Sequence, residues 1–134
     1  MIGQHVQSHI SECYTNVSVV ASPEYIATVA DFGRVGGLIG NSNGATISDC
    51  YSAGPVTSMF ELTDKVGGLV GGFFFAQPTT NSYTTSTVVG LQQEWVAGGF
   101  APGSITWPNV LNCFYDETTT TISEANGYQI FPLL

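Results

Sequence analysis

The stretch Val35-Gly36-Gly37-Leu38-Ile39-Gly40 recurs further along the chain, and its recurrence decides the fold. A close copy runs Val66-Gly67-Gly68-Leu69-Val70-Gly71, and a divergent copy runs from Ala97 to Gly103. The Gly-Gly doublets begin at Gly36, Gly67 and Gly98, a fixed step of 31 residues. A period in this range is typical of repeat architectures, in which each unit stacks on the next. The sequence therefore predicts a stack of short repeats.

A second phrase, centred on an aromatic residue, alternates with the first. It reads Ile10-Ser11-Glu12-Cys13-Tyr14 and then Ile47-Ser48-Asp49-Cys50-Tyr51, with weaker copies at 80–83 and 111–114. The distance from a Gly-Gly doublet to the next aromatic residue is almost constant, whereas the arm that returns to the next doublet varies in length. We expect the longest return arm, 21–34, to bulge as a loop on one face of the stack.

The composition indicates strands rather than helices. The chain is 43% hydrophobic and only 9% charged, and no stretch has the spacing of an amphipathic helix. Short runs rich in Val, Ile, Thr and aromatic residues, separated by Gly, Asn, Asp and Pro, are typical of strands and turns. We predict an all-β fold, a short parallel β-solenoid (β-helix) of about three to four coils in which like residues stack on like. A β-sandwich or β-prism built from antiparallel hairpins is the alternative.

Two local features of the phrases suggest how a coil turns. The Ile position and the Cys position are three residues apart, so strict alternation would place them on opposite faces of a strand. A bend at the intervening Asp or Asn would bury both, and these residues tolerate left-handed backbone. The Gly-Gly doublet indicates a place where a side chain would clash or where φ is positive.

The repeats divide the chain into a main domain and a tail. Residues 1–122 form the predicted repeat domain, with repeats at about 10–40, 47–71, 80–103 and 110–122, and residues 123–134 form an apolar cap or a tail that docks on another subunit. Aromatic and apolar residues that the repeat does not place inside are candidate interface or binding residues. They are Phe73, Phe74, Phe75, Trp95, Trp107, Ile130, Phe131, Leu133 and Leu134.

The three cysteines share one position of the repeat. Cys13, Cys50 and Cys113 occupy it, and Ser82 fills it in the remaining copy. This indicates a small side chain packed inside the stack. Adjacent strands lie about 4.8 Å apart, which places Cys13 and Cys50 within reach of a disulfide. The Cys and His spacings do not match a zinc site, and we expect no metal and no cofactor.

The charge of the chain excludes some partners. The net charge is −8, with Arg34 and Lys65 as the two basic side chains, so we expect no binding to nucleic acid. No apolar run is long enough for a spanning helix, and residues 1–5 lack the features of a signal peptide, so we expect neither membrane insertion nor a signal sequence. Arg34 and Lys65 are predicted to stack at one corner and to pair with acidic neighbours such as Asp31 and Asp64.

The two alternating phrases resemble the GLUG repeat. Val35–Gly40, Ile47–Val56 and Val66–Gly71 carry the resemblance, which extends in degenerate form through Ala97–Gly103 and Leu111–Thr121 and covers Ile10–Thr121. That repeat is found in large bacterial surface and secreted proteins, including adhesin-like proteins and IgA-specific metallopeptidases. The resemblance implies a structural or adhesive segment and transfers no catalytic residue.

We therefore predict that the protein is not an enzyme. His5 and His9 both precede the first repeat, and the adjacent carboxylates Asp116 and Glu117 are typical of a turn. The predicted function is a non-catalytic structural or adhesive surface subunit that self-associates and presents a binding surface. A virion decoration (cement) or tail-fibre protein and a glycan-binding module of a larger secreted protein are the alternatives. The expected partners are copies of the chain, with a trimer favoured, and a capsid protein, a cell-surface protein or a glycan; the expected location is the extracellular or the virion surface.

Overall fold

The computed structural model describes residues 1–21, 34–58, 65–74, 78–89, 97–98, 110–116 and 130–132. These residues form an all-β structure of short strands and contain no helix. The strands are β1 (Ile2–Val6), β2 (His9–Ser11), β3 (Tyr14–Asn16), β4 (Val19–Ala21), β5 (Arg34–Gly36), β6 (Ile39–Asn43), β7 (Thr46–Ser48), β8 (Tyr51–Ala53), β9 (Val56–Ser58), β10 (Lys65–Gly67), β11 (Phe73–Phe74), β12 (Thr79–Thr80), β13 (Tyr83–Thr84), β14 (Val88–Val89), β15 (Ala97–Gly98), β16 (Val110–Leu111), β17 (Cys113–Tyr115) and β18 (Ile130–Pro132).

These strands form five small sheets. Three sheets have three strands each, in the orders β1-β6-β11, β15-β10-β5 and β14-β9-β4. The fourth sheet has the order β16-β12-β7-β2, and the fifth has the order β18-β17-β13-β8-β3. Every strand pairing in the described ranges is parallel, so the predicted all-β fold with parallel strands is confirmed. The antiparallel hairpins of the alternative fold are not found among these strands.

The register of the sheets matches the repeats of the sequence. Tyr14 pairs with Tyr51, and Tyr51 pairs with Tyr83. In the Gly-Gly phrases, Val35 pairs with Val66 in the same way. The prediction that like residues stack on like is confirmed for these positions. The register is kept even though the arm between β4 and β5 is longer than the equivalent arms further along the chain.

Two clusters of buried apolar side chains form the core. The larger draws on the first, second and fourth repeats, and it comprises Ile10, Leu38, Ile39, Ile47, Cys50, Leu69, Val70, Cys113 and Tyr115. The smaller cluster comprises Val35, Val56, Val66 and Val88. Each fully buried Val, Leu or Ile contributes about 1.5–3 kcal/mol, so the repeated apolar positions are the main source of stability.

Buried hydroxyl groups connect the tyrosine strands to the Gly-Gly turns. The residue after each tyrosine points inward, and Thr15 Oγ1 donates a hydrogen bond to the carbonyl oxygen of Gly37 at 2.8 Å. Ser52 Oγ donates in the same way to Gly68 O at 2.6 Å. Ser52 and Thr84, its neighbour one repeat on, are both completely buried. The bond recurs because a buried hydroxyl without a partner would cost about 1–3 kcal/mol.

The glycine doublet is required by close backbone approach. A Cβ at Gly36 would collide with the carbonyl oxygen of Ile39, and a Cβ at Gly37 would collide with the carbonyl oxygen of Gly68. Neither glycine has positive φ, in contrast to Gly44, whose φ is 64°. Of the two explanations that the sequence suggested, the steric one is therefore correct at this doublet.

Replacing Gly36 with alanine should destabilise the fold strongly. The new methyl group would have to displace backbone atoms, and we expect the free energy of unfolding to fall by about 3 kcal/mol or more. Chemical denaturation measures this change. Gly3→Ala is the matched control, because a Cβ at Gly3 has no neighbour within 4 Å among the described residues. Equal destabilisation by the two variants would contradict the steric explanation.

One buried hydroxyl is an exception to the hydrogen bonding of the interior. Thr79 replaces the isoleucine of the first two repeats, since it pairs with Ile47, and its side chain is completely buried. Its Oγ1 has no hydrogen-bond partner in the described part of the chain. Burying an unpaired hydroxyl costs free energy, so Thr79 weakens an otherwise apolar column.

We expect Thr79→Val to stabilise the protein. The substitution keeps the shape of the side chain and removes the unpaired hydroxyl, which should raise the free energy of unfolding by about 1 kcal/mol. Thr84→Val is the matched control and should lower it by about 1–2 kcal/mol, because Thr84 Oγ1 accepts a hydrogen bond from the backbone N–H of Ser86 at 3.1 Å. Chemical denaturation of both variants measures the difference, and loss of stability in both would contradict the assignment.

Candidate functional site

A residue with left-handed backbone separates two strands in each repeat. Together these residues form the corner row, and their φ angles lie between 49° and 54°: Glu12, Asp49, Asn81 and Asn112. The bend reverses the alternation of side chains, so that Ile47 before it and Cys50 after it are both buried. The predicted bend at the Asp or Asn position is therefore confirmed. The tyrosine that follows the buried cysteine then points outward.

A short hydrogen bond spans each corner. It runs from the side chain after the corner to the carbonyl oxygen two residues earlier, with donor distances of 3.2 Å for Cys13 Sγ, 3.0 Å for Cys50 Sγ, 2.9 Å for Ser82 Oγ and 3.5 Å for Cys113 Sγ. A thiol is a weaker donor than a hydroxyl, but both fit this space. The position therefore requires a side chain that is small and that can donate a hydrogen bond. The sequence predicted only the small size.

The three cysteines are free thiols in the structure. Burial raises the pKa of Cys50, and burial raises the pKa of Cys113 to about 11. Cys13 directly precedes β3, the outermost strand of its sheet, and is only half-buried. Reactivity of a thiol depends on its thiolate form and its exposure, so the two buried cysteines are chemically protected.

The corner row is connected by hydrogen bonds between side chains. Asn112 Nδ2 donates to Asn81 Oδ1 at 3.3 Å, and Asn81 Nδ2 donates to Asp49 Oδ1 at 3.4 Å. The chain of bonds thus ends on a carboxylate, and Glu12 supplies a second carboxylate on the neighbouring strand region. All four side chains are exposed to solvent. The row offers amide donors at one end and carboxylate acceptors at the other.

A row of aromatic residues runs beside the corner row, and its three tyrosine rings stack on one another. This aromatic row comprises Tyr14, Tyr51, Tyr83 and Phe114, which pair in register. The rings of Tyr14 and Tyr51 are nearly parallel with centroids 5.2 Å apart, and those of Tyr51 and Tyr83 are 5.0 Å apart. These distances are typical of offset stacking, which contributes about 0.5–1.5 kcal/mol per pair beyond burial.

The stacking decides which surface the rings present. Neighbouring rings cover each other's faces, so the middle of the row offers ring edges and phenol hydroxyl groups to solvent. Tyr14, at the end of the row, is 67% exposed, compared with 39% for Tyr83. We call the aromatic row and the corner row together the ladder face. It is an outward-facing surface of hydroxyl, amide and carboxylate groups beside aromatic carbon.

The basic residues lie elsewhere in the fold. Arg34 pairs in register with Lys65 in the sheet of β5 and β10, so the predicted stacking of the two is confirmed. Arg34 donates a hydrogen bond to Asn41 Oδ1 at 3.0 Å, and partial burial lowers the pKa of its guanidinium group. The acidic partners expected for this pair, Asp31 and Asp64, lie outside the described residues. The ladder face itself carries Glu12 and Asp49.

Potential metal ligands are dispersed over the described residues. His9 Nδ1 lies 2.6 Å from Thr46 Oγ1, and both side chains are on the surface strands β2 and β7. Over the described ranges, no group of three or more His, Cys, Asp or Glu side chains could hold a metal ion. The chemistry available on the ladder face is hydrogen bonding and contact with aromatic carbon.

All nine interface residues predicted from sequence have side chains outside the described part of the structure. Phe73 and Phe74 form β11, and Ile130 and Phe131 lie in β18, but only their backbone is described. Phe114 pairs with Phe131, so the tail extends the sheet that contains the aromatic row. The remaining predicted residues lie outside the described ranges: Phe75, Trp95, Trp107, Leu133 and Leu134.

Sequence reasoning missed the aromatic row as a site. The signal was present, because Tyr14, Tyr51 and Tyr83 occupy one repeat position and residues of one position stack. The inward hydroxyl of Ser52 and the outward ring of Tyr51 follow each other directly in the sequence. What the sequence did not give was the direction of the ring, which depends on the left-handed corner two residues earlier.

No family model, curated protein or solved structure matches this chain. Within the described part of the chain, no helix has the length and apolar character needed to cross a membrane.

The cysteines should differ in their reactivity towards iodoacetamide at pH 8. Cys113 should resist alkylation in the folded protein, because its pKa of about 11 leaves it protonated and it is completely buried. The more exposed Cys13 should react first, and all three should react after unfolding in denaturant. Peptide mass spectrometry over time measures the order. Labelling of Cys113 as fast as that of Cys13 would show that the stack opens at its fourth repeat.

Proposed function

We propose that this chain is a non-catalytic structural and adhesive module that self-associates and presents the ladder face to a ligand. The observation that carries the proposal is the aromatic row, in which a tyrosine position recurs on three neighbouring strands and faces outward in each. An outward tyrosine adds little to a core, so its recurrence favours a surface that binds.

We further propose that the five sheets close into a short parallel β-solenoid. Each of the first ten strands pairs with the strand five places later in the chain, which supports one coil per five strands. Inward-facing residues of different sheets share the two core clusters, and this supports closure around a common interior. The resemblance to the GLUG repeat supports the same architecture and an extracellular or surface location.

Neutral glycans are the ligand class that the ladder face suits best. Sugar hydroxyl groups both donate and accept hydrogen bonds, and the corner row supplies amide donors and carboxylate acceptors to match. The ring centroids repeat every 5.0–5.2 Å, so equivalent groups recur along the face at a regular spacing. Glu12, Asp49 and the net charge of −8 disfavour anionic glycans by like-charge repulsion.

The proposal predicts binding that depends on the aromatic row. Tyr83→Ala should weaken the binding of immobilised neutral glycans at least about tenfold, because it removes a ring and a hydroxyl from the face. Val89→Ala is the matched control, because Val89 is exposed to a similar extent on another sheet, and it should leave binding unchanged. A glycan array followed by biosensor titration measures both. Absence of binding to any neutral glycan, or equal loss in both variants, would contradict the proposal.

A further inference from the structure

Among the described strands, the first strand of the aromatic row ends its sheet with an open edge. β3 is outermost in the order β18-β17-β13-β8-β3, and its three residues include neither proline nor lysine. Native proteins usually protect such an edge with proline, a charge or a covering segment, because its free N–H and C=O groups attract another strand. The other outermost strand, β18, contains Pro132, which has no N–H to offer.

The hydrogen bonds of the inner strands show which groups of β3 face the open edge. Tyr51 N–H donates to Cys13 O, and Tyr83 N–H donates to Cys50 O, each at 3.0 Å, so the tyrosine N–H points back to the preceding repeat. Because no described strand precedes β3 in this sheet, the N–H of Tyr14 points to the open edge.

The same reasoning applies to the last residue of β3. Thr85 N–H donates to Ser52 O at 3.0 Å, again towards the preceding repeat. In the strand register Asn16 pairs with Ala53. Asn16 is therefore the residue of the first repeat that corresponds to Thr85 of the third repeat. The N–H of Asn16 therefore faces the open edge together with that of Tyr14. Backbone groups alternate along a strand, so those of Thr15, between them, face β8.

Two copies of β3 fit each other as an antiparallel pair. If Thr15 lies opposite Thr15 of a second copy, Tyr14 faces the partner's Asn16 and Asn16 faces the partner's Tyr14. In antiparallel sheets, pairs that exchange both backbone hydrogen bonds alternate with pairs that exchange none. The outward groups of Tyr14 and Asn16 then form four hydrogen bonds, and the groups of Thr15 stay with β8.

We propose that β3 is the self-association surface of this protein, pairing antiparallel with β3 of a second copy to form a closed twofold dimer. The inference rests on the self-association proposed above and specifies its surface. An isologous pair closes by symmetry, whereas addition of copies head to tail would have to use the edge of β18 that Pro132 interrupts. The side chain of Val17, directly after β3, is exposed and adds apolar surface next to this strand.

The test is light scattering of the intact chain over a concentration series from roughly 1 to 100 µM, a range suited to a small interface. The weight-average mass should rise towards twice the chain mass of 14.2 kDa. Asn16→Pro removes one outward N–H per copy and should weaken dimerisation at least about tenfold. Asn16→Ala, the matched control, keeps that N–H and should dimerise like the original chain. Circular dichroism checks that each variant is folded.

Amide hydrogen exchange of the unmodified chain provides a second measurement that needs no variant. The amides of Tyr14 and Asn16 should exchange more slowly at high than at low concentration. A dimer without this protection, or one that Asn16→Pro leaves intact, would overturn the assignment to β3 while self-association stands. A trimer, which the sequence favours, would overturn the twofold pairing in the same way. A monomer at every concentration would overturn both this inference and the self-association in the proposed function.

Discussion

The left-handed corner residue is the constraint on which the rest of the structure depends. A single residue in this conformation, once per repeat, places the isoleucine position before it and the cysteine position after it on the same side of the chain. The isoleucine and cysteine positions are therefore both buried, whereas an uninterrupted strand would bury only one of them. The corner residue also turns the next tyrosine outward and the residue after it inward. The core, the aromatic row and the internal hydroxyl bonds all follow from this reversal.

The corner also explains which residue types fill this position, namely Glu, Asp and Asn. Left-handed backbone costs an ordinary side chain roughly 1–2 kcal/mol, and Asn and Asp reduce that cost by local hydrogen bonding. The third and fourth repeats use Asn81 and Asn112, whose amides bond along the row to Asp49. Asp49 and Glu12 carry carboxylates, which only accept hydrogen bonds, so the row becomes more acidic towards the first repeat.

Much of the fold could be read from the sequence, because stacking makes repetition visible. The step between Gly-Gly doublets predicted the register, and the three-residue spacing of Ile47 and Cys50 predicted the bend. Hydrogen bonds between different motifs of the repeat could not be predicted in this way. The bond from Ser52 to Gly68 O joins two phrases that the sequence shows only as separate motifs. The unpaired hydroxyl of Thr79 could not be predicted from the sequence either. Threonine is common in strands, and its burial depends on neighbouring repeats.

The strand register does not depend on the length of the chain that connects neighbouring strands. The arm between β4 and β5 is longer than its counterparts, yet Val35 still meets Val66, and Tyr14 still meets Tyr51. Each repeat touches its sequence neighbours through the same positions, so nothing in the pairing records how many repeats precede or follow. A duplication or deletion of one 31-residue unit would lengthen or shorten every sheet by one strand and create no new type of contact. Unequal recombination between the near-identical Gly-Gly segments would therefore change the number of repeats, and with it the length of the stack, in one genetic step. The products would keep the same pattern of strand pairing.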